Sequence, residues 1–215
     1  MSWFCPKLLP LSLVAALLPI GAAAGVTNEA ILIGKAQIQY PSSGHPSCGV
    51  YLKGIKKDFS DEDKVRVFDV SVMVHSIGGL VKAGVVEAKT ESIGTSTFQG
   101  TLIKPMAFWV RVVGGKKGKT DMTIGPLPTE LEGYLMYGTS RSAALEFVDA
   151  VMSGGTVQVA YLLPGDPVET LNYGSVELDP AQAQQLGECF GVLAKSMEGE
   201  LAAREANEAL GQQRR

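Results

Sequence analysis

Residues 65–79 read Val65-Arg66-Val67-Phe68-Asp69-Val70-Ser71-Val72-Met73-Val74-His75-Ser76-Ile77-Gly78-Gly79. Five valines, Val65, Val67, Val70, Val72 and Val74, crowd one short run that Gly78-Gly79 closes, which is the composition of a strand ending in a turn. A further strand is predicted over 80–90. On the N-terminal side, residues 30–40 alternate apolar and polar side chains. Pro41-Ser42-Ser43-Gly44-His45-Pro46 ends that run as a loop, and 48–55 reads as the next strand. Toward the C-terminus, 106–113 and 120–124 flank Gly114-Gly115-Lys116-Lys117-Gly118-Lys119, which predicts a hairpin loop. Pro126 and Pro128 then mark a change of element.

The period next switches to that of a helix. Over 140–152, Ala144, Leu145, Val148, Val151 and Met152 share one face, Thr139 or Ser140 can cap the start, and Gly154-Gly155 ends the helix. A strand over 156–163, a turn at Pro164-Gly165-Asp166-Pro167 and a short strand over 173–178 follow. Asp179-Pro180 opens a long helix, with aspartate as cap and proline at the first helical position. Its apolar stripe is Leu186, Cys189, Phe190, Leu193 and Met197. Beyond it, 198–215 is a polar helical or frayed tail in which Glu200 and Arg204 are spaced for an i,i+4 pair. The pattern predicts an α+β fold with one β-rich globular domain over 25–197. Its architecture would be an antiparallel β-sandwich or strongly bent sheet with two flanking helices, one of them C-terminal.

A chain of 215 residues that is 46% hydrophobic can fill a sizeable core, and 25 glycines set between short apolar runs suit turns and bulges better than a helical bundle. The formal net charge of −3 leaves no surplus of Lys and Arg to neutralise phosphates, which argues against nucleic acid as a partner.

Residues 1–24 read as a signal peptide. Lys7 precedes an apolar run over 8–20, Pro19 breaks that run, and Gly21-Ala22-Ala23-Ala24 supplies the small residues a signal peptidase accepts. The expected cut falls after Ala24, leaving a periplasmic or secreted chain with no membrane span. The alternative is an uncleaved anchor, for which the run is shorter than the roughly 20 residues a bilayer needs. Cys5 would leave with the leader. Cys48 and Cys189 then remain, and in an oxidising compartment one intramolecular disulfide is open to them, with two free buried thiols or an intermolecular bond as alternatives.

Motifs that carry chemistry are sparse. Gly115-Lys116-Lys117-Gly118-Lys119-Thr120 lacks the spacing and the following helix of a phosphate loop, and reads as a solvated hairpin. His45 lies near Ser42 and Ser43 without a nucleophile motif, and His75 ends a strand. Asp61-Glu62-Asp63 reads as an exposed loop, and the scattered histidines and cysteines offer no metal site. No catalytic, cofactor-binding or metal-ligating residue is assigned, and no cofactor is expected. The segment with most promise is Tyr134, Tyr137, Gly138, Thr139, Ser140 and Arg141, which brings aromatic, hydroxyl and guanidinium groups to a helix N-terminus suited to a partner or an anion. Its bland alternative is a helix cap with aromatic packing. Phe108 and Trp109 are adjacent on a strand, so one ring should face inward and the other outward, where it could help form a binding patch.

From 143 to 193 the order is a helix ending in Phe147-Val148-Asp149-Ala150-Val151-Met152-Ser153-Gly154-Gly155, the strand Val157-Gln158-Val159-Ala160, a turn, Gly174-Ser175-Val176-Glu177-Leu178, and a helix carrying Cys189. This quarter of the chain resembles the C-terminal half of the invasion-associated locus B family and small periplasmic accessory proteins of type VI secretion. The additional cysteines of the first family are missing. The resemblance implies a non-catalytic envelope protein with a β-sandwich flanked by helices. The expected function is therefore an exported, non-catalytic protein that binds an envelope protein or other macromolecule. An accessory subunit of a secretion or conjugation machine and a hydrolase with an unrecognised site are the alternatives.

Overall fold

The computed structural model describes residues 25–42, 44–94, 99–116 and 124–213, with side chains as far as residue 202. The signal peptide expected over 1–24, Ser43, Lys117 to Lys119, the strand predicted from 120 up to Ile124 and the expected Glu200–Arg204 pair fall wholly or partly outside those residues.

In chain order the strands are β1 (Val26–Gln39), β2 (Ser47–Lys56), β3 (Lys64–His75), β4 (Gly78–Lys89), β5 (Gly100–Ile103), β6 (Ala107–Val112), β7 (Ile124–Leu127) and β8 (Leu135–Thr139). Helix α1 (Arg141–Met152) follows, then β9 (Thr156–Leu162), β10 (Thr170–Ser175) and helix α2 (Pro180–Gln213). The fold is α+β. The strands form one sheet in the order β6-β9-β10-β1-β2-β3-β4-β8-β7, with β5 paired to the far part of β4.

The valine run supplies β3, whose alternate residues Phe68, Val70, Val72 and Val74 are at most 1% exposed and line one face. From β2 come Cys48, Val50 and Leu52, and from β4 Val81, Ala83 and Val85, all facing the same core. Gly54 shares that face because a Cβ there would lie 2.1 Å from Cζ of Phe68, so only glycine admits the ring.

The sheet is curled. β6 and β8 stand far apart in strand order, yet the rings of Phe108 and Tyr137 meet edge to face at 5.0 Å. Phe68 of β3 similarly lies 6.2 Å from Tyr161 of β9. The concave face is filled by α1, through Ala144, Phe147, Val148 and Val151, and by Leu186, Cys189 and Leu193 of α2. Phe147 is buried whereas Leu145 is 39% exposed, so the apolar face of α1 is rotated from the one predicted.

Four further differences from the sequence reading have physical causes. β1 begins at Val26 rather than near 30, because Val26–Glu29 pair parallel with Thr170–Tyr173 while Ala30–Gln39 pair antiparallel with β2. One strand thus joins two half-sheets, and the sheet is mixed rather than purely antiparallel. That same parallel partner starts β10 at Thr170, ahead of the predicted strand, and Val176 and Leu178 instead pack into the core after it. Ile124, the one described residue of the strand predicted over 120–124, belongs to β7 and pairs with β8, whereas β6 pairs with β9 at the opposite end of the sheet. β7 runs through Pro126, which an edge strand tolerates because its outer side needs no donor.

Helix α2 covers a strand edge. Beyond Glu29 the side of β1 away from β2 has no strand partner among the described residues, and Gln182 Oε1 accepts the Ala36 amide at 2.8 Å. Asp179 Oδ1 accepts from the Ala181 amide at 2.7 Å and caps the helix. Cys48 and Cys189 stand at disulfide geometry with Sγ atoms 2.03 Å apart, both sulfurs buried, and fasten α2 to β2. Among the described residues no helix is long and apolar enough to cross a membrane.

Candidate binding groove on the outer sheet face

The pleat that points valines inward points their neighbours to the convex face, and strand register sets those neighbours in rows. One row is wholly aliphatic: Ile31 lies opposite Ile55, Ile55 opposite Val67, Val67 opposite Val86, and Val86 opposite Leu102. It crosses β1, β2, β3, β4 and β5. The next row runs Ile33, Lys53, Asp69, Gly84. Ile93 and Gly94, after the 3-10 turn at Thr90–Ser92, wall one side of the resulting groove, whose volume is about 360 Å³. Ile31 is 49% and Ile33 60% exposed, so the groove opens to solvent.

Its polar end is built around Asp69. Tyr51 donates to Oδ2 at 2.7 Å and Tyr134 to the same oxygen at 3.3 Å, while Oδ1 accepts no hydrogen bond among the described residues. Tyr134 reaches Asp69 by lying over Gly84, where a Cβ would come within 2.8 Å of its ring. Lys82 places its ammonium 5.1 Å from the Tyr134 ring centre. Burial pushes both phenols up, and hydrogen bonding to and the negative charge of Asp69 add to the shift. They therefore remain hydrogen-bond donors and hold the carboxylate in place. Lys53, directly opposite Asp69, makes no ion pair among the described residues. The groove thus offers an aliphatic floor with one carboxylate oxygen and one ammonium at its upper side.

The segment singled out from sequence is divided by the pleat. Tyr134 belongs to the groove. Tyr137 points to the concave face and packs on Phe108, and Gly138 and Thr139 are buried in β8. Ser140 caps α1, its hydroxyl accepting from the Ala143 amide at 3.1 Å. Arg141 Nη2 donates to the Ser76 carbonyl and ties the start of α1 to the β3–β4 turn. The residues that complete the groove, Tyr51 and Asp69, lie in strands far from Tyr134 in sequence. The signal that could have found them was the polar pair on outward positions of two strong strands.

Of the two adjacent aromatics, Phe108 faces the core. Trp109 takes the other face but is only 8% exposed, with its Nε1 donating to Glu169 at 3.3 Å and Arg111 stacked 5.4 Å from its ring centre.

The histidines sit at the end of the sheet nearer α2. Ser47 Oγ and His75 Nδ1 are 2.6 Å apart, and burial lowers the His75 pKa from its ordinary value. His45 finds its hydroxyl on α2 rather than at Ser42: Nδ1 bonds Ser196 Oγ, and Nε2 is 2.6 Å from Glu200 Oε1. These groups have the residue types of a hydrolytic relay. However, the Glu200 side chain is 70% exposed, which screens the carboxylate, and the groove lies elsewhere. The contact fastens the loop after β1 to α2. Among the described residues no three His, Cys, Asp or Glu side chains converge as metal ligands.

No family model matches the sequence, and no curated protein and no solved structure matches the chain.

Proposed function

We propose that this protein is an exported, non-catalytic binding module that docks an amphipathic helix of another envelope protein across its outer sheet face. The observation that carries the reading is the aliphatic row Ile31, Ile55, Val67, Val86, Leu102, solvent-open and bordered by Asp69 and Lys53. Four inter-strand spacings make the row about 19 Å long, the rise of three to four helical turns. The backbone groups beneath it are engaged in the sheet, so an extended peptide would gain no main-chain hydrogen bonds there. A helix satisfies its own backbone and needs only an apolar stripe. The free Asp69 oxygen then receives a Lys or Arg beside that stripe, and Lys53 an acidic side chain. An accessory subunit of a secretion machine would use the same surface.

The test is site-specific photocrosslinking from position 33 in the native envelope fraction, followed by sequencing of the attached peptide. The expected product is a segment with apolar residues at helical spacing and an adjoining basic residue. A synthetic peptide of that segment should bind the protein, and Ile33→Asp should weaken it at least about ten-fold, the loss of one buried isoleucine. Equal crosslinking from Leu145 on α1, or unchanged peptide affinity in Ile33→Asp and Asp69→Asn, would overturn the reading.

A further inference from the structure

The curled sheet has two unlike ends. Near the β3–β4 turn it is closed by the start of α1 and by α2 at the Cys48–Cys189 link. At the other end, where β2 finishes at Lys56 and β3 begins at Lys64, it opens into a cleft of about 400 Å³. Asn172 and Tyr161 stand on its wall, 2% and 3% exposed. Among the described residues Nδ2 of Asn172 has no aligned hydrogen-bond partner at this buried position, although its amide lies beside the Tyr161 hydroxyl and offsets part of that phenol's shift. Burial raises the Tyr161 phenol to about 12, so its hydroxyl stays protonated.

The rim is charged but balanced. Lys56 pairs with Glu62 at 2.5 Å, Lys64 with Glu87 at 2.8 Å, and Arg66 holds Asp166 through two bonds of 2.7 and 2.9 Å. An oxyanion entering this mouth would have to displace a carboxylate from each cation it used. A neutral ligand carrying hydroxyls need break nothing: it accepts from an ammonium, donates to the paired carboxylate, and gives the Asn172 amide an acceptor oxygen.

We infer that this open end of the curled sheet is a second binding site, separate from the outer groove, for a neutral polyhydroxylated ligand of saccharide type. Mouths of curled and closed sheets are common ligand positions, and the cleft volume falls in the usual range for small-molecule sites.

The experiment follows the Asn172 side-chain amide by NMR in the ¹⁵N-labelled full chain during titration with D-glucose, N-acetylglucosamine or inorganic phosphate. A saturable shift with at least one sugar and none with phosphate is expected. Asn172→Leu should weaken sugar binding about ten-fold, read by calorimetry, while Ile33→Asp leaves it unchanged. Glu62→Gln separates the chemistries and serves if the Asn172 variant does not fold. It exchanges the charged acceptor that a sugar uses for a weaker, neutral amide oxygen, so sugar binding weakens, but it releases Lys56 from its ion pair and would strengthen phosphate binding. Saturation by phosphate alone, tightened in Glu62→Gln, overturns the saccharide assignment. No shift with any probe overturns the site.

Discussion

Breaking the link between Cys48 and Cys189 should cost this protein a large share of its stability. The two residues are 141 positions apart, and the loop between them holds β3 to β10 and α1. Cross-linking so long a loop removes about 5 kcal/mol of chain entropy from the unfolded state in the loop-closure treatment. For a domain of this size that corresponds to a fall in melting temperature of about 10–20 °C. Both sulfurs lie in the core, so a double alanine variant would add a packing loss to the entropic one. The cleaner comparison is wild-type protein folded with and without reductant, which keeps every side chain and removes only the bond. Urea unfolding followed by circular dichroism gives the midpoint of each form, and peptide mapping under non-reducing conditions gives the bond. Equal midpoints would show that the loop is held as tightly without the link. Two alkylatable thiols in protein from an oxidising compartment would remove the premise itself.

Two further outcomes are expected. Gly84→Ala places a methyl 2.8 Å from the Tyr134 ring and should push the phenol away from Asp69. Its titration, read by ultraviolet phenolate absorbance, should then fall back toward 10, with a stability loss of about 1–3 kcal/mol; an unchanged titration would mean Asp69 does not govern that phenol. His75 is held neutral by burial, so its folded pKa lies below 6.5 and the unfolded chain takes up the proton first. Its contribution is present above pH 6.5 and is lost as pH falls through the lower folded value. Urea midpoints across this window should decline less steeply in His75→Gln, and parallel declines would refute the assignment.

The strands with strong alternation or valine enrichment were legible in the chain, as were both helix starts, because a period and a cap are local properties. Ser140 and Asp179 each announce a helix through their own hydroxyl or carboxylate. Pairing was not legible. Residues 26–29 carry too little pattern to read as strand and become one only because Thr170–Tyr173 lie beside them. That β6 joins β9 while Ile124 and Leu127 join β8 was hidden for the same reason, since adjacency in sequence says nothing of which edge each strand joins. The groove was hidden by register. Ile31, Ile55, Val67, Val86 and Leu102 are ordinary strand residues until five strands align them. Tyr134 was singled out, but in company that the pleat then sent to the core and to the α1 cap.

The double allegiance of β1 has a consequence for the order in which the molecule can be built. Its later residues can zip to β2 as soon as the first hairpin exists, but Val26–Glu29 wait for a partner that emerges from the ribosome only after residue 170. Until then the growing chain carries β2, β3 and β4 with a raw strand edge and an uncovered valine face, the state in which β-rich chains are slowest to close and quickest to aggregate. Synthesis of the last third therefore finishes the sheet, and a nascent chain stalled before β10 should be a client for holding chaperones rather than a folded half.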